Sequence, residues 1–214
     1  MNHESFLQFR REYSQRGLDV TDVLKDPVAQ FKQWFDEAVT SGVPEPNVMT
    51  IASASRDGKP SARIVLLKGV TEEGFVFFTN YESRKGEELI ENPQAALLFF
   101  WGELERQVRI EGRVEKVLKR ESDAYFKSRP LESQLGAWAS PQSRVLKDRS
   151  ELEEKFENVK ERFKNDEISL PELWGGFCVI PEVMEFWQGR PNRLHDRIVF
   201  KKNRSSWDIE RLAP

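Results

Sequence analysis

Arg190, Arg193, His195, Asp196 and Arg197 fall within eight positions near the C-terminus, just after the pair Phe186-Trp187. Arginine offers a flat fork of donors and stacks on rings. Histidine titrates near neutrality and can share a proton with a ring hydroxyl. Tryptophan supplies an apolar wall with one polar handle. The set Glu185–Arg197 therefore suits an anionic, planar ligand. A charged surface hairpin with Trp187 in the core accounts for the same residues, and this stretch alone does not separate the two.

Other chemistry-bearing groups lie far upstream. Ser83-Arg84-Lys85 opens a short helix ending at Asn92-Pro93, and a helix N-terminus with adjacent cations favours a phosphate. Thr79 can add a hydroxyl there. A solvated basic turn is the plainer reading. Tyr125 and Arg129 stand four apart, on one helical face if the helix runs that far. With Ser133 they make a phenol, guanidinium and hydroxyl set suited to a monophosphate; a helix surface with a stray ion pair is the alternative. Gln107 both donates and accepts, but alternation allows it to face solvent. Gln142-Ser143 lies in a polar loop. Arg63 and Lys68 flank the apolar run Ile64–Leu67, which predicts burial on both faces. Their five-residue offset places them on opposite faces of a regular strand, so one site holds both only at a strand end or a bulge.

The elements that must position these groups follow from periodicity and punctuation. Asp26-Pro27 reads as N-cap and first residue of a helix ended by Gly42, with Val28, Phe31, Phe35, Ala38 and Val39 as its core stripe. Strands are expected at 48–55 and 61–70, joined by the turn Arg56-Asp57-Gly58-Lys59. Further strands are expected at 75–80, 94–101, 105–117, 173–180, 186–188, 198–202 and 207–210. Helices are expected at 119–128, 131–138 and 148–164, the last with Leu152, Phe156, Val159 and Phe163 on its packing face. Hairpin-linked strands predict a mainly β, α+β fold: an antiparallel sheet closed into a barrel and flanked by helices.

The chain has 214 residues and a formal net charge of −3. It can bury a sizeable core, and bulk attraction to nucleic acid or membrane is not expected. Cys178 is the only cysteine and His3 and His195 the only histidines, so neither a disulfide nor a zinc site is expected. The N-terminus lacks the apolar run of a signal peptide. The chain reads as a soluble cytoplasmic protein. Neither a Rossmann glycine pattern nor a P-loop is present. Residues 1–25 read as a partly mobile arm, and no linker divides 26–214, expected as a single domain.

Several blocks, in one order, resemble the pyridoxine (pyridoxamine) 5′-phosphate oxidases: Arg10-Arg-Glu-Tyr13, Arg63–Lys68, Asn80 through Lys85, Leu104–Val108, Tyr125–Pro130, Gln134–Trp138, Gln142-Ser143 and Arg193–Arg197. The resemblance implies a split β-barrel that dimerises, with FMN sites at the subunit interface. It implies FMN contacts from Arg63, Ile64, Val65, Leu66, Leu67, Lys68, Phe78, Thr79, Arg84, Lys85, Gln107, Gln142, Ser143, Trp187 and Arg197. Lys68, Tyr125, Arg129 and Ser133 would grip the substrate phosphate. Arg193, Leu194 and His195 would meet the pyridine ring, with Arg193 and His195 catalytic, and Arg10 and Tyr13 would close the site. No metal is implied. The implied reaction takes pyridoxine 5′-phosphate or pyridoxamine 5′-phosphate to pyridoxal 5′-phosphate with reduction of O2 to H2O2. Arg144 and Arg190-Pro-Asn192 depart locally from the family pattern.

Two rival readings belong to other classes. A split-barrel flavin or deazaflavin reductase would be bleached anaerobically by NADPH but not by pyridoxine phosphate. A flavin- or pyridoxal-phosphate-binding carrier would bind ligand and consume no oxygen.

Overall fold

The computed structural model describes Tyr13 and residues 17–214; Arg10, expected to help close a site, lies outside them. The chain forms two compact units built from interleaved segments. The central unit comprises Thr50–Ala96 and Gly112–Pro181. The terminal unit comprises the segment ending at Met49, Leu97–Glu111 and Glu182–Pro214.

Among the described residues nine strands form one sheet: β1 (Val48–Ala54), β2 (Pro60–Leu66), β3 (Gly69–Val70), β4 (Phe75–Asn80), β5 (Gln94–Trp101), β6 (Arg106–Lys116), β7 (Trp174–Gln188), β8 (Asp196–Asn203) and β9 (Ser206–Leu212). The ladder runs β2-β1-β5-β6-β7-β4-β3, with β8 on β7 and β9 on β8. Among the described residues this ladder ends at β2 and β3, so the sheet is a half-barrel rather than the closed barrel predicted from its turns. Among the described residues five α-helices flank it: α1 (Pro27–Thr40), α2 (Arg84–Glu91), α3 (Lys119–Ser128), α4 (Leu131–Ala139) and α5 (Arg149–Arg162).

The sequence reading separated 173–180 from 186–188, but β7 is one strand of 15 residues. It changes partners along its length: Trp174–Val179 pair antiparallel with β4, and Val183–Gln188 pair with β8. Pro181 lies between the two ladders. It has no N–H to donate, so a changeover there leaves no ladder donor unpaired. Gly112 on β6 is required at the same level. A Cβ there would sit 2.0 Å from the carbonyl oxygen of Ile180.

In the terminal unit, α1 begins where Asp26 accepts from the Val28 and Ala29 N–H groups, as its capping sequence predicts. Its buried face is Pro27, Gln30, Phe31, Trp34 and Ala38. Val39, assigned to the core stripe, is instead exposed. Phe31 meets Phe99 at 5.0 Å, and Trp34 packs edge-on to Phe186 at 5.2 Å. Such pairs add to the burial of the rings themselves.

In the central unit, Phe126, Leu135, Ile168 and Trp174 form a buried cluster, against which Phe156 and Val159 of α5 and Phe163 at its C-cap pack. The apolar stripe of α5 thus has the packing role its spacing predicts. The strand expected over 61–70 is broken: β2 ends at Leu66, and Lys68 N–H donates to the Val76 carbonyl at 2.8 Å before β3 begins. The two-sided burial predicted for Ile64–Leu67 is also overturned. Ile64 is 62% exposed and Leu66 37%, because exposure alternates along β2 and both point to its uncovered face.

Candidate functional site

A cavity of about 600 Å³ opens in the central unit. β2 and the break after it contribute Arg63, Ile64, Val65, Leu66 and Lys68. Phe78 and Thr79 come from β4, and Arg84 and Lys85 from the first turn of α2. Tyr125 and Arg129 come from α3 and its end, and Gln142 and Ser143 from the loop after α4. The break at Leu67-Lys68 resolves the offset between Arg63 and Lys68. A regular strand would send them to opposite faces, whereas both line this cavity. Leu67 and Ser133 do not line it.

The most deeply placed cation is Lys85. Its Nζ donates to Gln142 Oε1 at 2.9 Å, Thr79 Oγ1 at 3.1 Å and Ser83 Oγ at 3.3 Å. All three acceptors are neutral. Burial, then the nearby Arg63 charge, pulls its pKa down from 10.5 to about 8. An ammonium held by neutral acceptors in a partly desolvated place is ready to meet an anion. Ser83 also caps α2, accepting from the Gly86 N–H at 3.3 Å. The helix start thus adds its dipole on the same side.

Arg63 is held on all sides. Nη1 donates to Ser53 Oγ at 2.6 Å and to the Ile51 carbonyl at 3.4 Å. Nη2 donates to Ser61 Oγ and pairs with Glu88 at 3.3 Å. Glu88 also accepts from Arg84 Nε at 2.9 Å. Burial alone would raise the Glu88 pKa, but donors from Ser53, Ser61, Arg84 and Arg63 outweigh it and hold the pKa at about 2. Sequence reasoning missed Glu88, Ser53 and Ser61. The i,i+4 spacing of Arg84 and Glu88 was the one local signal for them.

Tyr125 and Arg129 meet without a shared helix. α3 ends at Ser128, and Arg129 is extended, with φ −74° and ψ 151°, as a residue preceding proline prefers. Its guanidinium lies 4.8 Å from the Trp174 ring centroid, and its buried Nη1 has no hydrogen-bond partner. Burial lowers its pKa, opposed by Tyr125. An unpartnered buried guanidinium N–H is costly unless a ligand meets it. Phe78 stacks on Tyr125 at 4.1 Å and on Trp174 at 5.5 Å. Trp174 lines the cavity too and was not anticipated.

The C-terminal cluster belongs to the terminal unit. His195 lies 4.7 Å from Trp187, and Tyr13 is edge-on to both rings at 5.6–5.7 Å. His195 Nδ1 accepts from the Arg190 N–H at 3.1 Å, so in the neutral ring Nε2 carries the proton. Burial, then the Arg193 charge, lowers its pKa, with Asp196 opposing. Asn192 and Arg193 adopt left-handed backbone, φ 57° and 61°, a strain that clusters at functional sites. Leu194 is exposed.

Arg197 grips Glu185 through two parallel bonds of 2.9 and 3.0 Å and donates to the Ala213 carbonyl. Its fork is thereby largely committed to the protein. Glu185, buried and shared with Arg109 at 3.3 Å, was not anticipated either. Gln107 is half-buried near the start of β6.

The pyridoxamine 5′-phosphate oxidase profile matches residues 35–163, and the pyridoxine 5′-phosphate oxidase C-terminal dimerisation region matches residues 174–214. The chain belongs to the pyridoxamine 5′-phosphate oxidase family. Relatives in this family include the pyridoxine/pyridoxamine 5′-phosphate oxidases of Burkholderia lata and Cupriavidus pinatubonensis. The first is 57% identical over 208 residues, 96% of this chain and 97% of the relative. The second is 58% identical over 206 residues, with the same coverage. Among solved structures, PhzG from Burkholderia lata in complex with tetrahydrophenazine-1-carboxylic acid superposes with a TM-score of 0.88. It is 27% identical and matches 95% of this chain and all of that one. Membership of the oxidase family accounts for the half-barrel and for the order of the quoted blocks. No helix among the described residues is long and apolar enough to cross a membrane.

Proposed function

We propose that this chain is an FMN-dependent oxidase, a pyridoxal 5′-phosphate synthase. It would convert pyridoxine 5′-phosphate and pyridoxamine 5′-phosphate to pyridoxal 5′-phosphate, reducing O2 to H2O2. The observation that carries this reading is the central cavity. There, Lys85 meets only neutral acceptors and Arg129 keeps an unpartnered Nη1 beside the stacked rings of Phe78, Tyr125 and Trp174. That donor set fits phosphorylated aromatic ligands. The identity shared with the B6-phosphate oxidases supports the substrate class.

On this reading Arg63, Thr79, Arg84 and Lys85 hold the FMN phosphate, while Ile64–Lys68, Phe78, Gln107, Gln142, Ser143, Trp187 and Arg197 complete its seat. When bound, FMN supplies the two-electron acceptor that dioxygen re-oxidises. Lys68, Tyr125, Arg129 and Ser133 bind the substrate phosphate and so fix one end of the molecule. Arg193 and His195 orient the pyridine ring and its 3-hydroxyl, with Leu194 beside them. Fixing both ends brings the 4′ carbon into place at low entropic cost. His195 Nε2–H donates to the ring oxygen. Arg10 and Tyr13 close the site against water. The reading includes a homodimer with FMN sites at the subunit interface, which the matched dimerisation region supports. We assign no nucleophile, metal or nucleic-acid partner, and place the enzyme in the cytoplasm, with residues 1–25 as an arm on the domain 26–214.

The similarity to PhzG favours a second reading, oxidation of a reduced tricyclic carboxylic acid. One assay separates the two. Peroxide release from the flavin-loaded protein is measured with each B6 phosphate and with a tetrahydrophenazine carboxylate. Release with the B6 phosphates is the expected result; release with the tricycle alone would overturn the proposal.

A further inference from the structure

Glu88 is a buried carboxylate in the middle of α2, one turn after Arg84, and it gathers groups from three elements. Its Oε2 accepts from Ser53 of β1 and Ser61 of β2, each at 2.5 Å, and pairs with Arg63 of β2 at 3.3 Å. Its Oε1 accepts from Arg84 of α2 at 2.9 Å. The bond to Arg84 uses Nε alone. The two Nη groups of Arg84 have no hydrogen-bond partner in the protein among the described residues. Arg63, Arg84 and Ser61 all line the cavity, whereas Glu88 does not.

We propose that Glu88 is a positioning residue, which fixes the Arg63 and Arg84 guanidiniums so that both meet the phosphate of the bound flavin. The proposal rests on the FMN reading above. A carboxylate near an anion site would weaken anion binding by simple charge repulsion. Its presence here is therefore informative: the gain from holding two arginines must exceed that repulsion. Four donors on one carboxylate also keep it ionised, in line with its pKa of about 2. Neutralising it would leave two neighbouring guanidiniums unanchored and mutually repelling.

The test compares two ligands that differ only in the phosphate. Wild-type protein and Glu88→Gln are titrated with FMN and with riboflavin by flavin fluorescence, with circular dichroism confirming the fold. In the variant, FMN affinity should fall by roughly tenfold or more while riboflavin affinity stays within about twofold. Unchanged or tighter FMN binding overturns the proposal, because Glu88 then acts through its charge or not at all. An equal loss for both flavins also overturns it and leaves a purely structural role. If Glu88→Gln does not fold, Ser53→Ala and Ser61→Ala each remove one donor to the same Glu88 oxygen together with one acceptor of Arg63. They should show a smaller loss confined to FMN, and a loss without that selectivity overturns the proposal. Wild-type protein that binds neither flavin would instead overturn the cofactor assignment, and the proposal with it.

Discussion

Lys85 Nζ donates to Gln142 Oε1 at 2.9 Å, tying the first turn of α2 to the loop that follows α4. The contact makes an ammonium part of the cavity wall, and its pKa of about 8 sets a pH dependence. The folded protein releases this proton near pH 8, whereas the unfolded chain keeps it to the ordinary value of 10.5. The unfolded state therefore binds more protons between these values, and stability of the ligand-free protein should rise with pH across that window. Anion binding should run the other way, full below pH 8 and weaker above it. FMN titrations at a series of pH values should show this step, and Lys85→Met should abolish it. An identical pH profile in that variant would remove Lys85 from the phosphate seat.

His195 should govern turnover more than flavin retention. His195→Ala or Arg193→Met should give a yellow protein whose turnover falls on the order of 10²-fold. A colourless product from either change would reassign that residue to holding FMN.

The depressed His195 pKa has a further consequence at low pH. The unfolded chain takes up this proton first, so stability should fall as pH drops below the ordinary histidine value of about 6.5. Protonation also removes the Nδ1 acceptor that meets the Arg190 N–H. Denaturation midpoints between pH 5 and pH 7 should show a slope that His195→Ala lacks. Equal slopes would mean that other groups account for it.

Arg129→Ala should raise KM for pyridoxine 5′-phosphate by about tenfold or more, with flavin content unchanged. The variant loses a guanidinium whose Nη1 has no protein partner, so little protein bonding is lost with it. An unchanged KM would end the phosphate-grip assignment.

Gly86→Ala tests how α2 is seated. Alanine is the better helix former by about 1 kcal/mol, so propensity alone predicts stabilisation. A Cβ at this position would lie 2.3 Å from the Tyr81 carbonyl oxygen, a backbone atom that cannot swing away. The variant should therefore be destabilised by about 1–3 kcal/mol in chemical denaturation. A gain in stability would show that α2 can shift without cost.

The local frame was legible because its signals are local. Asp26-Pro27 caps α1, Ser83 caps α2 and Gly58 turns the β1–β2 hairpin with φ +82°, each determined by residues a few positions apart. The blocks, in one order, carried the resemblance to the family that the profiles then matched. The failures share one cause. Exposure of Ile64 and Val39, the continuity of β7 and the break at Leu67 all depend on which strand or helix lies alongside, and alternation does not carry that information.

By itself, then, the sequence determined the helices and most of the strands, the antiparallel sheet and the residue types suited to a phosphate, while the flavin was implied by the family resemblance. Caps, turns and periodicity act over one or two turns of chain. Only the tertiary structure decided which cations share a cavity. Arg63 and Lys68 meet there because β2 ends at Leu66, and Tyr125 and Arg129 line the same cavity although α3 ends before Arg129. Glu88 could be seen as the anchor of Arg63 and Arg84 only once α2 was placed against β1 and β2. Such meetings are set by long-range strand pairing and burial, which no short stretch of sequence specifies.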